Sequence, residues 1–200
     1  MSDEEKQRAS RFYFEKNRNE FILCRGGLRI FLASYLNIPA PQILFAYTNH
    51  KKPYLLDPAL KLKFNISHTS GLGAFTFVWN RAIGVDVEAE KQNFKVEEIA
   101  ERFFSLKERE ALHEYPPNQR AAAFYRCWTR KEAYIKARGE GLSHPLAQFD
   151  VSLDEKPEQT LLATRPDQAE AGRWILEPFA VPKGFAGAVA VSLSDSWVEK

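Results

Sequence analysis

The sequence predicts an α+β protein of two similar halves that meet near residue 90, each a small antiparallel sheet packed on a long helix. Two observations carry this. A helical period followed by short β-like runs occurs twice along the 200 residues. Each occurrence includes one long apolar stripe at three- and four-residue spacing. The expected halves are therefore residues 1–90 and 91–200. An apolar content of 44 %, with 15 Phe, 7 Tyr and 4 Trp, provides for a sizeable core and argues against disorder.

Taken in order, Ser2 and Glu5 have the spacing of a capping box, and a helical pattern continues over residues 8–16. Residues 20–36 place Phe21, Cys24, Leu28, Phe31, Leu32 and Tyr35 on one stripe and predict a longer helix. Its Gly26-Gly27 pair is costly in mid-helix and hints at a close backbone approach. After Pro39 and Pro41, β-like runs at 43–47, 63–66, 74–79 and 82–87 alternate with turn chemistry, and Trp79-Asn80-Arg81 predicts a hairpin turn. Helical periodicity returns at 96–103 and 106–115, where Pro116-Pro117 ends it. A third strong helix runs from about 118 to 137, with Phe124, Cys127, Trp128 and Ile135 on one stripe and "RGEG" as its stop. Runs at 149–153, 161–163, 174–179 and 187–193 predict further antiparallel strands.

Twenty-eight Lys and Arg against 26 Asp and Glu give a net charge of +2, which does not support a polyanion-coating protein; no nucleic-acid partner is expected. The charged N-terminus and the lack of any run of about 20 apolar residues predict no membrane span. Cys24 and Cys127 have neither metal-ligand nor redox spacing, so a reducing, cytoplasmic setting is expected.

Two stretches could do chemistry. In "IGVDVE", residues 83–88, alternation puts Asp86 and Glu88 on the same side of a strand. They stand roughly 7 Å apart, and their repulsion is about 2 kcal/mol at an effective dielectric of about 20. A half-buried face would need a positive partner. In "WTRKEAYIK", Glu132 and Lys136 share a helix face one turn from Trp128. A surface ion pair and a solvated strand end would explain the two stretches separately. Together they offer three carboxylates for a hard divalent cation, with Lys136, and Lys131 as a further candidate, to face phosphate oxygens.

"IGVDVE", then "IAERFFSLKERE", then "WTRKEAYIKARGEGL", with "KPYL" and "FNISHTSG" upstream, resembles the 4'-phosphopantetheinyl transferases of the Sfp-like class. The resemblance runs from "DEEKQRASRF" to "GLSHPLAQFDVSL" and implies that family's fold, a pseudo-twofold monomer with coenzyme A between its halves. It implies an enzyme that transfers the phosphopantetheine arm of coenzyme A to a serine of an apo acyl or peptidyl carrier protein, using Mg2+ and releasing adenosine 3',5'-bisphosphate. Carried over by motif, Asp86, Glu88 and Glu132 would bind the metal, with Asp86 also at the coenzyme A site. Glu132 would also be the general base, and Lys136 would stabilise charge on the pyrophosphate. His68 would contact coenzyme A phosphates, while Ser67, Lys52, Pro53 and Tyr54 would line the adenine and 3'-phosphate pocket. Arg25 falls where some relatives carry a phosphate-binding arginine, with Arg29 the competing choice. His50, His113 and His144 match no role and are expected to be solvated. Arg102, Phe103 and Phe104 are candidates for a carrier-facing patch, with a core role open for the two Phe.

The chain departs from the family at Glu20, where many relatives are basic, and at Lys51, where a glycine commonly precedes "KP". Two rivals remain at this level: a metal-dependent phosphohydrolase acting on coenzyme A or nucleotide bisphosphates, and a non-enzymatic module that binds coenzyme A or carrier proteins. Intact Asp86, Glu132 and Lys136 argue against the second.

Overall fold

A computed structural model of the chain describes residues 1–91, 95–141 and 144–194. They belong to two compact units, Met1–Leu62 and Lys63–Lys200.

In the first unit, helix α1 (Asp3–Ser10) opens on the expected capping box. Ser2 N–H donates to Glu5 Oε2 at 2.8 Å and Glu5 N–H donates to Ser2 Oγ at 3.3 Å. The helix stops at Ser10, and α2 (Glu15–Leu36) starts afresh, so the expected pattern over 8–16 is broken by a turn. Helix α2 ends at Asn37 in the left-handed conformation. A side chain at Gly26 would meet nothing within 4 Å, so no close backbone approach occurs there. Strand β1 (Phe45–Tyr47) pairs antiparallel with β2 (Pro53–Leu55), a strand too short to show in the sequence pattern. Lys51, at φ 63°, holds the left-handed turn conformation that glycine adopts at no steric cost.

The second unit begins with β3 (Leu62–Thr69) and β4 (Leu72–Trp79), which pair as a hairpin. Ser70 and Gly71 form the two-residue turn, both at positive φ, as a primed hairpin turn requires. Asn80, at φ 63°, instead leads into β5 (Ile83–Ala89), which pairs with β9 (Phe185–Ser192) rather than with β4. The expected hairpin at 79–81 is thus displaced to 70–71. Strand β9 also pairs antiparallel with β8 (Trp174–Pro178), giving the order β5-β9-β8. Strands β6 (Phe149–Val151) and β7 (Leu161–Thr164) form a separate pair. The β5–β9 ladder ties residue 83 to residue 191, so β5 belongs with the C-terminal strands, and the two compact units divide after Leu62.

Helices α3 (Val96–Phe103), α4 (Leu106–Glu114) and α5 (Pro117–Arg138) complete the unit. Pro117 opens α5, where its missing N–H is tolerated, and Gly139 closes it at φ 76°. Helix α5 is buried on more than its apolar stripe because β5 and β9 meet one side while α4 and β6 meet others. The face of the sheet that carries Asp86 and Glu88 is otherwise small: Gly84 lies opposite Ala190, Asp86 opposite Ala188 and Glu88 opposite Ala186. A Cβ on Gly84 would overlap the Ala133 carbonyl oxygen and the Ala137 nitrogen and lie 2.9 Å from Ala137 Cα. The helix backbone therefore rests directly on the strand. Among the described residues, no helix is long and apolar enough to cross a membrane.

Candidate active site

Ser67, His68, Asp86, Glu88, Trp128, Glu132 and Lys136 line one cavity of about 440 Å³ in the second unit, together with Ile66. Three elements supply them. Strand β5 brings Asp86 and Glu88, β3 brings Ser67 and His68, and α5 brings the other three. The absence of a side chain at Gly84 lets α5 approach until Lys136 reaches the strand. Lys136 Nζ donates to Asp86 Oδ1 at 2.6 Å, and weaker contacts reach Ser67 Oγ at 3.3 Å and the Val85 carbonyl at 3.4 Å. The positive group that the paired carboxylates require is, in this structure, Lys136.

The neighbouring carboxylates are held from β3. Ser67 Oγ donates to Asp86 Oδ1 at 2.9 Å, and Thr69 Oγ1 donates to Glu88 Oε2 at 3.1 Å. Burial pushes Glu88 above the ordinary carboxylate range, and the charge on Asp86 pushes it further against the opposing pull of Thr69 and Lys136. Glu132 goes up to about 7, chiefly through burial; Lys136 opposes the rise and Asp86 and Glu88 add to it.

Three carboxylates against one ammonium leave the cavity with excess negative charge. Asp86 Oδ2 is buried without a hydrogen-bond partner. A hard oxygen donor set and an orphaned carboxylate oxygen fit a divalent cation such as Mg2+, whose usual environment is one or two carboxylates, waters and phosphate oxygens. Among the described residues, no three acidic, His or Cys side chains are grouped so that they could hold a metal ion as they stand, Asp86, Glu88 and Glu132 included.

Comparisons with known proteins give the family of the chain. Residues 82–190 match the 4'-phosphopantetheinyl transferase superfamily, and residues 1–78 match "4'-phosphopantetheinyl transferase, N-terminal". The 4'-phosphopantetheinyl transferase HetI of a Nostoc species is 36 % identical over 194 residues, covering 96 % of this chain and 78 % of the relative. The chain belongs to the 4'-phosphopantetheinyl transferase superfamily. The 4'-phosphopantetheinyl transferase Sfp of Bacillus subtilis is 32 % identical over 155 residues, covering 78 % of this chain and 67 % of that protein. Among solved structures, the holo-[acyl-carrier-protein] synthase of Thermotoga maritima aligns at 24 % identity and a TM-score of 0.41, over 56 % of this chain and 62 % of that one.

The remaining phosphopantetheinyl transferase candidates lie in the first unit. Arg29 commits its donors within that unit: to Glu5 at 2.8 and 3.2 Å and to the carbonyls of Ala40 and Ile43 at 2.7 and 2.8 Å. Arg25 is also buried, 3.5 Å from Glu5 and over the Phe45 ring, yet its Nη1 has no hydrogen-bond partner. Of the two arginines, Arg25 keeps a donor in reserve. Pro53 pairs with Tyr47 and Tyr54 with Ala46 in the β1–β2 ladder, and Lys52 N–H donates to Thr48 Oγ1 at 3.2 Å.

Several expectations change. Lys131 does not face phosphate: it is fully buried, with Nζ 2.7 Å from Glu108 Oε1 and from the carbonyls of Leu146 and Phe149. Phe104 is core, stacked on Phe124, and Phe103 packs edge-on against Trp128, so only Arg102 of the expected carrier-facing trio is exposed. His144 is not solvated but pairs with Glu140 at 2.9 Å and lies against Phe149, whereas His50 and His113 are exposed. Sequence reasoning also missed Thr69, although the alternate spacing of Asn65, Ser67 and Thr69 along one strand puts all three on one side.

Proposed function

We propose that the cavity between β5 and α5 is where a phosphopantetheinyl group changes hands. As a member of its family, the chain transfers the 4'-phosphopantetheine arm of coenzyme A to a carrier protein. The observation that carries the assignment to this cavity is the Lys136–Asp86 pair at 2.6 Å beside the buried Glu132 carboxyl.

In the reaction proposed, the carrier serine hydroxyl attacks the β-phosphorus of coenzyme A. An O–P bond forms to the serine oxygen as the bond to the bridging oxygen breaks, and adenosine 3',5'-bisphosphate leaves with that oxygen. Glu132 takes the hydroxyl proton, directly or through water; a carboxyl displaced toward neutral pH suits this task. Lys136 lies where it can neutralise charge on the pyrophosphate oxygens, and His68, exposed at the rim, can donate to phosphate. Asp86, Glu88 and Glu132 would hold Mg2+, which, when bound, polarises the phosphoryl oxygens and offsets their charge. Arg25, Lys52, Pro53, Tyr54 and Ser67 remain the proposed contacts to the nucleotide part of coenzyme A. A monomeric, cytoplasmic enzyme is part of the same proposal.

Coenzyme A turnover distinguishes this reading from a phosphohydrolase. Release of adenosine 3',5'-bisphosphate should require apo carrier protein in stoichiometric amounts; steady release without any carrier would refute the transferase assignment.

A further inference from the structure

We propose that Thr69 is a positioning residue for Glu88, acting with Asn65 and Ser67 as a polar rail along β3 that fixes the open edge of β5. The inference rests on the reading of Glu88 as part of the metal site and adds to it a residue outside the cavity lining. Strand β5 pairs with β9 on one edge. On the other edge β3 offers side chains in place of a backbone ladder. Val85 N–H donates to Asn65 Oδ1 at 2.9 Å and Val87 N–H to Ser67 Oγ at 3.3 Å, each across 20 residues of sequence. The Ser67–Asp86 and Thr69–Glu88 bonds each span 19.

A constant offset means that the two strands run in the same direction and in step. Asn65, Ser67 and Thr69 occupy alternate positions, so one face of β3 meets two main-chain donors and two carboxylates of β5 in succession. The first two rungs fix the backbone and Asp86. The last rung is Thr69, and it acts on the carboxylate nearest the strand end, where the backbone constrains the side chain least. A glutamate left without such a partner would lose more rotamer freedom on binding a cation. Threonine suits the role because its branched Cβ restricts χ1 and so aims the hydroxyl.

The test uses the full chain with one equivalent of coenzyme A and Mn2+ as the probe, with binding followed by the loss of free-ion paramagnetic signal against a coenzyme A blank and no carrier protein present. Thr69→Val keeps the shape and removes the hydroxyl; it should weaken Mn2+ binding about tenfold, the effect usual for partners of metal ligands. Thr69→Ser restores the hydroxyl and should recover binding to within about threefold of the unsubstituted chain. In a Glu88→Gln background, Thr69→Val should add nothing further. The same Thr69→Val variant should raise the Mg2+ concentration needed for half-maximal transfer while leaving the KM for carrier unchanged. Unchanged Mn2+ binding in Thr69→Val, or equal weakening in Thr69→Ser, would overturn the role of Thr69 alone. Absence of Mn2+ binding by the unsubstituted chain would overturn the metal reading and the role of Thr69 with it.

Discussion

Lys136 Nζ and Asp86 Oδ1 are 2.6 Å apart although 50 residues separate them in sequence. The pair joins the end of helix α5 to the middle of strand β5 and offsets part of the repulsion between the two carboxylates on that face. Asp86 is almost fully buried while Lys136 retains 30 % of its side-chain exposure, so the lysine can turn toward a substrate without the strand moving. Replacing Lys136 with Met should lower the transfer rate by about 10² to 10³-fold, as removal of a charge-stabilising donor does. Thermal denaturation should show a modest loss of stability that added Mg2+ partly restores, because Asp86 loses its countercharge. Full activity in Lys136→Met would remove the lysine from the reaction.

Gly84 makes this meeting possible. A methyl group there would overlap α5 backbone at Ala133 and Ala137, atoms that cannot rotate away. Gly84→Ala should destabilise the protein by about 1–3 kcal/mol or more, the range for overpacking. Urea unfolding measures the loss, and transfer by the folded fraction should fall as well, since β5 and α5 must separate. An unaltered unfolding midpoint would mean that the strand and helix adjust freely.

Lys131 tests the distinction between neighbours on one helix. Its fully buried ammonium faces Glu108, whose carboxyl burial pushes above the ordinary range even though Lys131 pulls it down. Lys131→Ala would leave Glu108 buried and uncompensated at a cost of about 3–5 kcal/mol. The KM for coenzyme A in the folded protein should not change. A raised KM with intact stability would return Lys131 to the phosphate-binding role expected from sequence.

Asp150 governs part of the acid response. Burial by itself would raise this carboxyl, but the two-pronged Arg165 contact, at 2.6 and 2.9 Å, and Ser105 outweigh it and hold the carboxyl below the ordinary value of 3.8. A carboxyl depressed on folding stabilises the protein above its unfolded pKa, and that stability is lost as pH falls through the folded value. Arg165→Met should therefore be less stable than the unsubstituted chain at pH 7 and differ from it less at about pH 3, below the ordinary Asp pKa. A difference that grows on acidification would contradict the assignment.

Much of the site could be read from sequence because its patterns are local. Alternation put Asp86 beside Glu88, and helical spacing put Glu132 beside Lys136. What was hidden depends on long-range pairing. The β5–β9 ladder joins Ile83 to Val191, and no local signal records a partner some hundred residues away. Asn80 and the Ser70-Gly71 pair offer similar turn chemistry, and only the pairing of β4 with β3 selects the hairpin turn between them. Lys131, a charged residue next to Glu132, reads as exposed until packing from α4 and β6 encloses that side of α5.

The mass of an apo carrier protein, taken after incubation with this chain, coenzyme A and Mg2+, addresses the whole scheme in one measurement. The carrier should gain one phosphopantetheine with the unsubstituted chain and none with Asp86→Ala or Glu132→Gln, both of which should stay folded. No gain on any of several carriers with the unsubstituted chain, or full gain with both variants, would contradict the scheme.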